Sequence, residues 1–407
     1  MVTRSGGFIA AALFCSAIPL SCIAAEAQPI TASSTFRTAI ERARNMIAGG
    51  DIGGAAGVLA GLSPSSPFEK YMAASLGMEL AVKRNDTEAQ RAAVTRMLES
   101  GAAPEGELPR LNHIAGYLAA RAGATDTAIA YLSRARTLGV SDPRASLLLV
   151  ESYARLRRYD DAARVLGETI AASKQAKQAV PASWYDRAAS LALTRKDWAG
   201  LASASAAKLA DPSLTAPDWR SAIVTYLGNA QPDKEAALDL YRLQSAVGAM
   251  ASERDWHVYA TAAAEQGQAA EAKAVIAAGQ ASGGLTKADP VVASLQRSVQ
   301  AARSAATKVP AANAPGLTGA QAAEAGDDLL AGGRFAEAAP YYRAALGKGG
   351  ADRGRVTTRL GIALARSGDL NGAHTALAQA TGRWAEVAAF WSAWAETRRP
   401  RAATPAG

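Results

Sequence analysis

The stretch Gly333-Arg334-Phe335-Ala336-Glu337-Ala338-Ala339-Pro340-Tyr341-Tyr342-Arg343-Ala344-Ala345-Leu346 is a glycine turn running into an amphipathic helix. Ala338, Tyr342 and Ala345 stand at i, i+4 and i+7, so they share one helical face. Thirty-five residues further on, the pattern returns as Gly368, Leu370, Ala373, Leu377 and Ala380. Upstream, the same frame reads Gly123, Ala128, Leu132 and Ala135, and then Tyr159, Ala162, Leu166 and Thr169, with Ala162 placed 34 residues after Ala128. A further copy reads Gly267, Ala272, Ile276 and Gly279. In every copy a small or modest residue also stands 12 positions before the key alanine: Gly116, Val150, Ala260, Gly326 and Gly361. Two helices approach closely only where side chains are small, so these paired positions mark a first helix crossing a second. The larger Leu or Tyr then fills the gap toward the next pair. One pair cannot cover its own apolar face, so about three or more must stack. A generic alanine-rich bundle is the competing reading, but it has no reason to repeat in one shared frame.

These residues resemble the tetratricopeptide repeat family, whose unit is two antiparallel helices of about 34 residues in all. The family pattern has an aromatic and a Leu-Gly pair in the first helix, then Ala, a larger apolar residue and Ala in the second. Leu360-Gly361 with Ala373, Leu377 and Ala380 matches it, as do Gly326 with Ala338, Tyr342 and Ala345, and Trp256 with Tyr259-Ala260 and Ala272. Trp184, Trp219 and Trp256, spaced 35 and 37 apart, open three successive units, of which the two earlier lack a clean second-helix signature. The family's terminal proline is mostly missing or displaced, as at Pro143, which leaves boundaries open by several residues. Weaker units span Phe36 to Leu62, turning at Asp51-Ile52-Gly53-Gly54-Ala55, and Phe68 to Ser100, turning at Arg84-Asn85-Asp86.

The expected fold is therefore all-α, an α-solenoid of roughly nine TPR-like helix pairs with a C-terminal capping helix. The repeat array spans 28–283, with a polar insertion from Ser173 to Pro181. A helix (Val291 to Ala306) and a Pro/Ala/Gly-rich linker fill 284–317, which sets the two repeats of 318–381 apart as a semi-independent module. The capping helix covers 382–399 and carries Trp384, Val387, Ala388, Trp391 and Trp394 on a broad apolar face, either a lid on the last repeat or an exposed docking patch. Residues 400–407 form a tail expected to be disordered.

At 407 residues the chain exceeds what one core serves, since single cores stop growing near ~250–300 residues. Hydrophobic residues make up 49% but alanine dominates and aromatics are only 6%, which favours many small helix–helix contacts over one deep core. The first 27 residues read as an export signal: Arg4, an apolar stretch from Gly7 to Ile23 broken by Pro19, then Ala25-Glu26-Ala27 with cleavage before Gln28. An uncleaved anchor is the alternative, although the apolar run is just short of a ~20-residue span. A lipoprotein signal at Leu20-Ser21-Cys22 would normally place its Leu one residue earlier, where Pro19 stands. Both cysteines, Cys15 and Cys22, lie in this segment, so the mature chain would have no thiol for disulfides, catalysis or metal binding, and no integral membrane span. A cysteine-free exported chain suits the periplasm of a Gram-negative bacterium. The formal charge of +8 favours acidic partners, but is not dense enough to argue for nucleic acid.

No chemistry is legible. His113, His257 and His374 sit in different repeats without a ligand-spaced partner, and neither a phosphate loop nor a nucleophile elbow is present. Acidic residues on such helices usually belong to a solvated face. No catalytic residue, cofactor or metal is therefore assigned. In the resembled family, first helices line a groove that grips an extended peptide or partner helix. That geometry implies candidate groove residues Arg110, His113, Tyr117 and Arg121, then Arg144, Glu151 and Arg155, then Arg355 and Arg366. Most are arginines, whose planar paired donors suit a carboxylate, so a protein or an acidic or C-terminal peptide is the expected partner. Exposed arginine being simply common in this chain is the bland alternative. The implied role is a non-catalytic envelope scaffold, or else an accessory subunit of an envelope enzyme or polysaccharide-export complex.

Overall fold

The computed structural model describes residues 32–286 and 316–399, with a few positions between 290 and 297. The segment expected to direct export, with its two cysteines, the larger part of the helix and linker expected over 291–315, and the tail at 400–407 lie outside the described residues. The described residues are helical throughout, without a strand, and two compact units divide the chain: Met1–Leu118 and Ala119–Gly407.

The first unit contains α1 (Ser34–Ala48), α2 (Ile52–Ala60), α3 (Pro67–Lys83), α4 (Thr87–Glu99), a 3-10 turn (Glu105–Glu107) and most of α5 (Leu108–Arg121). The second begins in the last turn of α5 and continues through α6 (Thr125–Thr137), α7 (Pro143–Arg155), α8 (Tyr159–Gln175), α9 (Ala182–Arg195) and α10 (Trp198–Leu209). It goes on through α11 (Ala216–Ala230), α12 (Lys234–Ala246), α13 (Glu253–Glu265) and α14 (Ala269–Ala281). Beyond the linker come α15 (Gly319–Ala331), α16 (Phe335–Lys348), α17 (Arg353–Ser367), α18 (Leu370–Leu377) and α19 (Arg383–Thr397). In chain order the helices before α19 follow one another as helix–turn–helix pairs.

One turn recurs within these pairs. A residue with positive φ ends the first helix, and the next N–H reaches back to a carbonyl five residues earlier, satisfying one of the helix's orphan acceptors. Ala124 to Ala119, Gln268 to Ala263, Arg334 to Leu329 and Asp369 to Leu364 are such bonds, each within 2.8–3.0 Å. Gly123, Gly267, Gly333 and Gly368 supply the positive φ there. Asn85, Arg157 and Lys196 supply it elsewhere, with the same bond from Asp86, Arg158 and Asp197. Second helices then start on acceptors such as Asp86, Asp197 and Asp369, which take the N–H three residues ahead.

The crossings follow the small-residue rule. The key alanines Ala128, Ala162, Ala272, Ala338 and Ala373 are each 0% exposed. A Cβ added at Gly326 would stand 2.8 Å from the Tyr342 ring, and one at Gly361 only 2.5 Å from Leu377 Cγ. In the two units without a clean signature, Ala202 and Ala236 are likewise 0% exposed. α18 ends at Leu377, so Ala380 falls in the following turn and not in the second helix: Gly382, with φ +59, redirects the chain into α19.

In the first unit Phe36, Ile40, Ala43 and Ile47 of α1 pack with Ala55, Leu76 and Leu80. Buried Glu69 stitches this core, accepting from the Ser33 N–H at 2.9 Å and from the Ser65 N–H and hydroxyl at 2.8 Å. The Ser65 and Ser33 amides hold its carboxyl down to about 2.

In the second unit the repeats of 318–381 do not stand apart. α19 packs on α10 and α12 as well as on α17 and α18. The Trp391 indole donates to the Asp239 carbonyl at 3.0 Å, Tyr226 hydrogen-bonds Glu386 through its hydroxyl, and Arg383 pairs with Asp233 at 2.8 Å. Trp384, Trp391 and Trp394 are buried, so the apolar face of α19 is a covered lid and not a docking patch.

Two outcomes test this packing. A helical Gly→Ala change normally gains roughly 0.5–1 kcal/mol. Gly167→Ala, with nothing near its added Cβ, should show that gain in chemical denaturation, whereas Gly361→Ala should cost about 1–3 kcal/mol through overpacking on Leu377. Because the Glu69 carboxyl is lowered, its contribution is full above its ordinary titration range and is lost as pH falls toward 2. Glu69→Gln should therefore reduce Tm at pH 7, with the gap to the parent chain closing on acidification.

Candidate partner-binding site

The candidate groove residues fall into three places. In the first unit Arg110, His113 and Tyr117 recur along one face of α5. Arg110 pairs with Glu107 at 2.6 Å, His113 is half-buried, and Tyr117 is 41% exposed, one of few large apolar side chains left so among the described residues. Leu111, Ala115 and Leu118 turn the opposite way, into the interior.

In the second unit Arg121 is exposed at the end of α5, and Arg144, Glu151 and Arg155 are exposed on α7. The last three stand at i, i+7 and i+11 and so share a face, while Leu149, Val150 and Tyr153 are buried. Glu151 pairs with Arg187 of α9, linking the first helices of two successive pairs. Arg144 and Arg155 have no carboxylate partner among the described residues. Arg187 was not singled out from sequence, where the Trp184 unit offered no glycine turn to set its frame.

Arg355 and Arg366 do not line an open groove, because α17 and α19 fold back onto α12. Arg355 is bound to Glu235 at 2.7 Å and to Asp327 at 3.4 Å. Beside it lies a buried ionic knot that sequence reasoning missed. Asp239 of α12, 0% exposed, accepts from Arg242 at 2.5 Å through one oxygen and from Arg359 of α17 at 3.0 Å through the other. Arg242 also forms a bidentate pair with Glu271 of α14, at 2.8 and 2.6 Å, and Arg359 reaches Asp327 of α15 at 2.8 Å. Tyr259 donates to Glu271 and Tyr342 to Asp327, each at 2.8 Å. Burial works against charge on Arg242, but Glu271 and Asp239 outweigh it and hold the guanidinium well above its ordinary value. Burial, together with the carboxylates they face, raises the Tyr259 and Tyr342 phenols. α17 is buried from Val356 through Ala365, which leaves Arg359 no solvated side to occupy.

Arg366, two turns beyond Arg359, faces a cavity of about 380 Å³ bounded by α12, α13, α14, the α15–α16 turn, α17 and α19. Its guanidinium lies 4.4 Å from the centre of the Phe335 ring. Burial lowers its pKa, against a smaller opposing effect of Tyr259.

No helix among the described residues is long and apolar enough to cross a membrane, and no group of three or more acidic, His or Cys side chains there is placed to hold a metal ion. The helix pairs, their recurring turn and their small-residue crossings make this a TPR-like helical-repeat protein. No family model and no curated protein sequence matches the chain. Solved structures similar to it include a tetratricopeptide repeat protein from Parabacteroides merdae, at 14% identity over 82% of this chain and 100% of that one, with a TM-score of 0.31. The pentatricopeptide repeat protein PPR10 from maize is similar at 15% identity over 86% of this chain, which spans 51% of the maize protein, with a TM-score of 0.27.

Removing one partner from a buried ion pair leaves the other charge uncompensated, at a typical cost of about 3–5 kcal/mol. Asp239→Asn, which keeps the shape but leaves Arg242 and Arg359 short of an anion, should lose stability of that order in urea unfolding. Lys234→Ala, which removes an exposed pair on the same helix, should change it by less than about 1 kcal/mol.

Proposed function

We propose that this chain is an exported, non-catalytic scaffold of the cell envelope that holds a protein or an acidic peptide on its first helices. The observation carrying the reading is the α7 face, where Arg144 and Arg155 present guanidinium groups that no carboxylate neutralises among the described residues. Helical-repeat folds are interaction scaffolds by construction, since their stacked pairs bury their apolar faces on each other and leave a long polar surface. A guanidinium offers a planar fork that matches a carboxylate, and the net charge of +8 draws acidic partners in the same sense. Export to the periplasm rests on Arg4, the apolar stretch from 7 to 23 and the Ala25-Glu26-Ala27 site.

Replacing Arg121, Arg144 and Arg155 together with glutamate should cut partner capture from envelope extracts at least tenfold, read by quantitative mass spectrometry against the parent chain. Unchanged capture would remove the basic face from the reading. N-terminal sequencing of the protein from a periplasmic fraction should begin at Gln28, and a chain recovered only in the cytoplasm with its first residues intact would overturn the assignment of compartment.

A further inference from the structure

The cavity beside Arg366 is distinct from the α7 face, and its chemistry is more specific. Trp256, Val275, Leu330, Phe335 and Ile362 form an apolar part of its wall, and Ser245, Tyr259 and the Arg242–Glu271 pair form a polar part. Of the two arginines that line it, Arg242 is fully committed to Glu271 and Asp239. Arg366 is not: its face lies over Phe335, and the N–H donors along its edge meet no acceptor among the described residues. A guanidinium carries five in-plane donors, so stacking one face leaves that edge available. Arg398 adds positive potential nearby, since it acts to lower the Arg366 pKa.

From this arrangement we infer that the cavity is a ligand site for a single carboxylate carried on an apolar body, such as a peptide's C-terminal aromatic or branched aliphatic residue. Charge sets the anion: the one uncompensated guanidinium balances a monoanion, while a phosphate dianion would bring a second charge with only the potential of Arg398 to offset it. Size sets the body, since about 380 Å³ lies at the low end of small-molecule sites and takes a residue or two, not a partner helix. The fork of Arg366 holds the carboxylate in a bidentate pair, and Trp256, Phe335 and Ile362 cover the side chain. This site is independent of the proposed partner face, because Arg366 lies on α17 and the face on α7.

The test is isothermal titration of the full chain with N-acetylphenylalanine, its neutral amide and phenyl phosphate. The free acid should bind at least tenfold more tightly than both other compounds. Arg366→Gln should abolish that preference while keeping the parent Tm or raising it, because it removes a desolvated charge. Ala278→Trp, which fills the cavity from α14 and leaves Arg366 in place, should abolish binding of the acid. Equal affinity for acid and amide, tighter binding of phenyl phosphate, no binding of the acid, or an unchanged preference in Arg366→Gln would each overturn the assignment. Partner capture by Arg366→Gln at the parent level separates failure here from failure of the α7 face.

Discussion

Asp239 holds two guanidinium groups at once, one from its own helix and one from a helix 120 residues further along the chain. Each of its carboxylate oxygens is used, and its backbone carbonyl takes the Trp391 indole as well. An apolar seam of equal volume could be at least as stable, since the attraction between buried charges mostly offsets the desolvation it requires. What the charges enforce is register. Sliding α17 by one turn against α12 would strand Arg359 or Asp239 in the interior, at a cost of several kcal/mol. The placement of the C-terminal helices, the burial of the α19 tryptophans and the cavity at Arg366 all follow from that constraint.

Alanine and glycine set the other scale of the structure. Where Gly361 meets Leu377 or Gly326 meets Tyr342, the two helices approach until the larger side chain rests on the opposite backbone. This is why the repeat was legible in the residues themselves: a crossing tolerates few residue types, and the spacing between first and second helix is fixed by geometry. The frame was harder to follow through Asn85, Arg157 and Lys196, where a non-glycine residue takes the positive φ of the turn. It was harder still around Ala202 and Ala236, which are fully buried without the flanking pattern.

The candidate site was legible only in part. Arg144, Glu151 and Arg155 do share one exposed face of α7, because helical spacing alone decides that. Arg355 and Arg366 follow the same spacing on α17 yet serve other ends, because tertiary contacts bury that helix between them, from Val356 through Ala365. Helical periodicity reports which residues share a face, not what will lie against it. The knot of Arg242, Asp239, Glu271, Asp327 and Arg359 was hidden for the same reason. Each member reads as an ordinary surface charge until helices distant in sequence close over it.

That distance has a consequence for synthesis. The repeats up to α9 rest on contacts between near neighbours and fold as they emerge, whereas the seat for α17 and α19 spans 120 to 160 residues. At roughly 5–20 residues per second, a ribosome takes on the order of 6–24 s to bring Arg359 out after Asp239. Throughout that interval α10 and α12 present their apolar surface to whatever is near, and Asp239 has only Arg242 to answer it. A chaperone would meet the protein in that state, with its last helices still unmade.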